Sequence, residues 1–418
     1  MRLVYIHQYF RTRGMWGGTR SYEVTRRLAA HGHEVHVITT DVEASKLSLR
    51  WRVTDDDGVL VHWLPVPYSN YMSYRRRIAA FAQFAVCASI ESARLKPDVV
   101  LATSTPLTVA VPGMFASRVR RVPFVFEVRD LWPELPIEMG ALSRPWSKRL
   151  AFGLARLTYR NADRVVALSP GMASGVESYG YPPERITVIP NGCDLDLFSV
   201  DEGAAQRFRS AHTWLGDRPL VVYAGTFGAI NGVDYLVRVA AAALRLDPEV
   251  RFLMVGEGRE LPKVTELAAE LGVLDRNLFI LAPVAKQELP ELLAATTVAT
   301  SIFLPMPKMW DNSANKFFDA LAAGRPVAIN YGGWQADLLR ESGAGVVLNP
   351  EDVLGAAKEL VSRVRDTAWL AEAASASRHL AATQFSRDEL FGRFEAMLRG
   401  VPPRRIPSRA RRGRRLLS

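Results

Sequence analysis

The chain has 418 residues, 48% of them hydrophobic and 23% charged, which excludes a disordered polyelectrolyte. That is too much sequence for one ordinary core, so two domains of fewer than about two hundred residues each are expected. The net charge of +10 is concentrated at one end: without Arg404, Arg405, Arg409, Arg411, Arg412, Arg414 and Arg415 the remainder stands at +3, so residues 401–418 read as a separate, disordered basic tail drawn to anionic lipid. Nucleic-acid binding rests on that tail alone, with no aromatic platform or groove-reading helix elsewhere, and is set aside.

The opening MRLVYIHQYF reads as a strand running into Arg11 and Arg13, without the apolar core and small-residue site of a signal peptide. The two cysteines, Cys87 and Cys193, are far apart and lack metal-ligand spacing. Both observations favour a reducing cytoplasm and argue against a structural zinc. Strand Leu3 to Ile6, a loop ending Gly17-Gly18-Thr19, an amphipathic helix through Leu28 and a strand Val35 to Thr39 make one βαβ unit. Further strands are expected at Val59 to Pro65, Asp98 to Ala102, Pro123 to Glu127 and Arg164 to Leu168. Such alternation implies a parallel sheet covered on both faces, with its ligand at the carboxyl ends of the strands. Between them, Tyr74-Arg75-Arg76-Arg77 leads an apolar stretch too short to span a bilayer; it reads as a covering helix or an interfacial one.

Pro190-Asn191-Gly192 is turn-rich and reads as the interdomain linker. Beyond it, strands are expected at Pro219 to Ala224, Arg251 to Val255, Asn277 to Ile280, Val298 to Ile302, Val327 to Asn330 and Gly345 to Leu348, again separated by helices. The fold class is therefore α/β, two Rossmann-like doubly wound domains facing across a cleft. Gly256-Glu257-Gly258 lacks the third glycine of a dinucleotide fingerprint, so NAD is disfavoured.

The stretch DNSANKFFDALAAGRPVAINYGG, Asp311 to Gly333, carries the densest chemistry. Asn312 or Ser313 can cap a helix from Ala314 to Ala323, with Gly324 and Pro326 as its stop. A helix start suits a phosphate, Lys316 in its first turn adds a full charge, and Asp319, three residues on, could accept hydrogen bonds from a ribose. A plain surface Lys-Asp pair is the competing reading.

IPNGCDLDLF (Ile189 to Phe198) resembles the interdomain signature of family 4 glycosyltransferases, which have the GT-B fold, and GGTRSYEVTRRLAAHGHEVHVIT (Gly17 to Thr39) is similar to their amino-terminal glycine loop, helix and strand. FEVRDLWPE (Phe126 to Glu134) and SANKFFDALAAGRPVAINYGGW (Ser313 to Trp334) are similar to the branch that builds bacterial surface polysaccharides such as O-antigen and capsule. The resemblance implies a retaining transfer from a nucleotide-diphosphate sugar, with UDP-sugar expected, to a lipid-linked or glycan acceptor, with no cofactor and no protein-bound metal. It implies an acceptor-side domain over residues 1–190, a nucleotide-sugar domain over 191–384 and a terminal helix, 385–400, returning to the first. Donor contacts are then expected from Gly17, Gly18, Gly225, Thr226, Gly228, Asn231, Ala314, Asn315 and Asp319, and catalytic contributions from Asp311, Lys316, Arg129 and Asp130.

Three departures stand out. Asp311 and Asp319 occupy the positions of two family glutamates; Thr226 and Asn231 replace an arginine and a lysine that contact the diphosphate, leaving Lys316 as the main cation and the amides at Gly225 and Gly228 as substitutes. Arg129 stands where a histidine is common and is expected to clamp an anion or to pair with Glu127 or Glu134. The rival readings are a UDP-sugar epimerase on the same fold and a non-catalytic sugar-nucleotide scaffold. A cytoplasmic protein held peripherally at the inner membrane face is expected.

Overall fold

The computed structural model describes residues 1–12, 14–15, 17–41, 50–67, 72 and 74–402. Arg13, the side chain of Arg75 and the tail arginines, with the expectation of a disordered tail, lie outside the described residues.

The first sheet contains β1 (Arg2–Ile6), β2 (Glu34–Asp41), β3 (Arg52–Asp56), β4 (Val59–Pro65), β5 (Val99–Thr103), β6 (Phe124–Val128), β7 (Arg164–Ala167) and β8 (Ile186–Val188), in the order β3-β4-β2-β1-β5-β6-β7-β8. All neighbours are parallel except β3 and β4, which form an antiparallel hairpin at one edge. Strand residues alternate between two apolar layers. Val4, Ile6, Val100, Ala102, Phe124 and Phe126 face one; Leu3, Tyr5, Val99, Leu101 and Val125 face the other.

From β4 onward the successive parallel strands step toward one edge, whereas the β1–β2 connection steps toward the other. Right-handed crossovers therefore put helices Tyr74–Arg94, Ala110–Arg120 and Pro145–Asn161 on one face and helix Arg20–Ala30 on the opposite face. The helix Tyr74–Arg94 buries Ala80, Phe84 and Ala88 against the sheet, as a covering helix does. No helix among the described residues is long and apolar enough to cross a membrane.

The second sheet is all parallel, in the order β11-β10-β9-β12-β13-β14, with β9 (Leu220–Ala224), β10 (Arg251–Val255), β11 (Leu278–Leu281), β12 (Val298–Ser301), β13 (Val327–Ile329) and β14 (Gly345–Val347). The last helix, Arg387–Arg399, lays Leu390, Phe391, Phe394 and Leu398 into the first domain beside Tyr22 and Leu28. Burying four such side chains contributes about 1.5–3 kcal/mol each.

Candidate active site

In each sheet the strand order reverses once, between β1 and β5 and between β9 and β12. The loops leaving those strands diverge there, and a doubly wound sheet binds ligand in the crevice they leave. The two switch points share one cleft of about 270 Å³. Gly17, Gly18 and Thr19 form its amino-terminal wall, and Gly225, Thr226, Lys286, Phe303, Ala314, Asn315, Lys316 and Asp319 most of the other. The walls nearly touch: a Cβ on Gly18 would lie 2.7 Å from Nδ2 of the Asn315 side chain, which would have to shift to admit it.

Helix Asn315–Ala322 begins at Ala314 without a side-chain cap. The expected caps are engaged elsewhere. Ser313 Oγ accepts from Asn191 N, and Asn312 Oδ1 accepts from Ala314 N. Ala314 is thereby removed from the expected amide donors, while Asn315 N and Lys316 N make no hydrogen bond among the described residues and stand as the orphan donors of the helix start.

The Lys316 stem is packed deep, with Nζ 5.2 Å from the Tyr223 ring centroid and 4.9 Å from that of Phe303. Gly225 explains how it fits, because a Cβ there would approach Lys316 Cε to 2.9 Å. Burial lowers the pKa of Lys316 to about 8, with Asp319 opposing the shift. No carboxylate lies within ion-pair distance of its ammonium among the described residues.

Asp319, expected to accept hydrogen bonds from a ribose or to pair with Lys316 at the surface, is buried and paired with another lysine. Its Oδ1 lies 2.5 Å from Lys286 Nζ, with side-chain exposures of only 10% and 8%. Burial raises the Asp319 pKa and the Lys286 ammonium counters that rise. Lys286, on the loop after β11, is the residue that sequence reasoning missed; it also lies 5.2 Å from the Phe198 ring. The signal was a lone lysine at the carboxyl end of a strand in a doubly wound sheet. Arg387 also lines the cleft, paired with Asp194.

Other expected residues are corrected. Gly225 N donates to Val255 O at 2.9 Å, so that amide is consumed by the sheet; Thr226 N makes no hydrogen bond among the described residues. Gly228 and the buried Asn231 lie outside the cleft lining, Asn231 N closing a turn onto Gly228 O. Asp311 is also outside it. Its carboxylate packs on Gly171, at the start of helix Pro170–Glu177, where a Cβ would collide with Oδ1, and burial raises its pKa. Asp130 accepts from Thr105 Oγ1 at 2.6 Å.

Arg129 pairs with neither Glu127 nor Glu134. Arg20 takes Glu127 at 2.9 Å, aided by Tyr5 and Thr103, and Glu134 accepts from Tyr179. Arg129 turns instead to His7, its Nη1 donating to Nε2 at 3.1 Å, and its Nη2 lies 3.8 Å from where a Gly18 Cβ would stand. Burial and the neighbouring guanidinium keep His7 neutral, its pKa well below the usual value. The proton then sits on Nδ1, which has no hydrogen-bond partner among the described residues.

Residues 17–192 match the family described as Glycosyl transferase 4-like domain, and residues 218–366 match Glycosyl transferases group 1. A D-inositol 3-phosphate glycosyltransferase of Nocardiopsis dassonvillei is 27% identical over 411 residues, covering 94% of this chain and 91% of its own. Among solved structures, Anabaena Alr3699/HepE in complex with UDP and glucose is 19% identical with a TM-score of 0.72, covering 96% of this chain and 100% of its own. WaaG, a glycosyltransferase involved in lipopolysaccharide biosynthesis, is 17% identical with a TM-score of 0.72, over 95% and 100%. These likenesses show the GT-B fold.

Proposed function

Because the chain carries a glycosyl transferase 4-like domain followed by a group 1 domain and is a glycosyltransferase, we propose that it transfers a sugar, with retention, from a UDP-sugar to a lipid-linked or glycan acceptor in polysaccharide assembly, at the cytoplasmic face of the membrane. The observation that carries this reading is the Lys316 ammonium, beside the open amides of Asn315 and Thr226 and without an ion-pair partner among the described residues. A diphosphate supplies the missing negative charge. Asp319, anchored through one oxygen by Lys286, keeps the other for a ribose hydroxyl.

In this scheme the leaving phosphate oxygen takes the acceptor proton on the same face. The protein positions the two substrates and stabilises charge on the departing diphosphate. Arg129, whose Nη2 lies 3.8 Å from where a Gly18 Cβ would stand, would meet an anionic group of the acceptor. The similarity to D-inositol 3-phosphate glycosyltransferases favours a second reading, in which the acceptor is a small phosphorylated polyol; the same guanidinium would meet its phosphate.

The test is turnover of UDP-, GDP- and TDP-sugars with polyprenyl-diphosphate-linked glycans or inositol phosphate as acceptors. UDP released only when an acceptor is present supports the proposal. Sugar isomerisation without acceptor would instead make the chain an epimerase. Turnover of GDP- or TDP-sugars alone would overturn the choice of UDP.

A further inference from the structure

The side of the first domain that bears helices Tyr74–Arg94, Ala110–Arg120 and Pro145–Asn161 is unusual in what it exposes. These helices cover one face of the sheet side by side, so their outward sides form a single layer. Nine of the sixteen large apolar side chains that stand exposed among the described residues lie on these three helices. They follow helical spacing. Val86 and Ile90 are exposed by 62% and 63%, Phe115 and Val119 by 45% and 53%, Trp146 and Leu150 by 60% and 68%. Each pair is one turn apart, on the side away from the buried residues Phe84, Ser117 and Ala155.

The charge on the same helices has one sign. Ala110–Arg120 and Pro145–Asn161 contain arginines and a lysine but no acid, and the single carboxylate of Tyr74–Arg94, Glu91, is buried on His62 and Arg94. A second protein chain would have to pair or desolvate those cations. A bilayer with anionic headgroups accepts apolar ridges and neutralises the cations around them at once. Each helix also follows the carboxyl end of a sheet strand in the chain, the edge at which the cleft opens.

We propose that this three-helix face is the membrane-docking surface, seated on anionic lipid with its apolar ridges in the interfacial layer. The proposal rests on the membrane-peripheral reading above, and its test separates the two. Full-length protein, a deletion of residues 402–418 and the double variant Phe115→Glu/Leu150→Glu are sedimented with phosphatidylcholine vesicles with and without phosphatidylglycerol. UDP affinity confirms that each variant is folded. We expect the double variant to lose at least tenfold in partitioning onto anionic vesicles with UDP affinity unchanged, and the tail deletion to retain binding that the double variant lacks. If the double variant partitions like the wild type while the tail deletion does not, the face is wrong and the membrane reading stands. If the wild type ignores anionic vesicles, both fall. If the wild type self-associates and the double substitution makes it monomeric, the face joins two copies of the chain and the proposal is overturned.

Discussion

Replacing Lys316 with Met tests the donor site most directly, because the side chain keeps its length and loses only its charge. The pKa of Lys316 is lowered to about 8 by burial. Relative to an ordinary lysine, that corresponds to about 3 kcal/mol by which the surroundings disfavour the ammonium. A bound diphosphate reverses the sign. Removing one charge-assisted hydrogen bond costs about 2 kcal/mol or more, so UDP affinity is expected to fall by a factor of about thirty or greater. Uridine, which carries no phosphate, should bind both proteins equally. The wild type should also show a pH signature. Below pH 8 the ammonium is present before binding; as pH rises through that value the free protein loses the proton that the complex retains. UDP affinity should therefore decline on the order of tenfold between pH 7 and pH 9, with proton uptake on binding. Calorimetry in buffers of different ionisation enthalpy measures both quantities. A Lys316→Met protein with wild-type UDP affinity, or with the same pH slope, would refute the placement of the diphosphate on this helix.

The pair Lys286–Asp319 should behave as a unit: either Lys286→Met or Asp319→Asn leaves a buried group without its partner and should cost about 3–5 kcal/mol in a denaturant titration, while the double variant should recover part of it. Asp319→Asn should in addition weaken UDP and uridine alike, which distinguishes it from Lys316→Met in the same calorimetric experiment. Gly18→Ala should displace the Asn315 side chain at the narrowest point of the cleft and weaken binding by about 1 kcal/mol, and a structure showing Asn315 Nδ2 unmoved would contradict this. Saturating UDP-sugar should compact the molecule by rotation near Asn191-Gly192; an unchanged radius of gyration in X-ray scattering would count against that closure.

The alternation of apolar strands with helices was enough to place most strands to within a residue or so, because a parallel sheet buried on both faces writes a continuous apolar run. The two strands that escaped notice lack that signature. β3 buries none of its residues, so it has no apolar face, and β8 is three residues long at the far edge. The residues lining the carboxyl-terminal wall of the cleft were partly legible, since Lys316 and Asp319 share a helix face and helical spacing is local information. The pairing of Lys286 with Asp319 was not, because it is made by tertiary packing and by nothing in the spacing. The glycines were harder to read. Gly225 suggested an amide offered to phosphate, yet it makes room for Lys316. Gly256 and Gly258, with φ of +147° and +151°, let backbone pass close to Gly225 O and Phe227 O, which accounts for a glycine pair without any dinucleotide.

The chain crosses between domains twice, and both crossings are held by buried arginines. Arg20, in the helix after the Gly17-Gly18 loop, donates to the carbonyls of Ile189 and Pro190 while it pairs with Glu127. Arg387, where the chain returns, donates to Gly192 O and pairs with Asp194. The crossings are also bonded to each other, Cys193 N to Phe385 O at 2.7 Å and Arg387 N to Cys193 O at 3.1 Å. A buried guanidinium or carbonyl stripped of its partner is costly, so closure that broke these bonds would be opposed. The cheaper motion rotates the domains about the bonded ribbon and leaves its polar groups paired. Because Arg387 belongs both to that ribbon and to the cleft lining, the proposed donor, if its anion were drawn toward Arg387, would act on the hinge itself and so couple occupancy of the cleft to the angle between the domains.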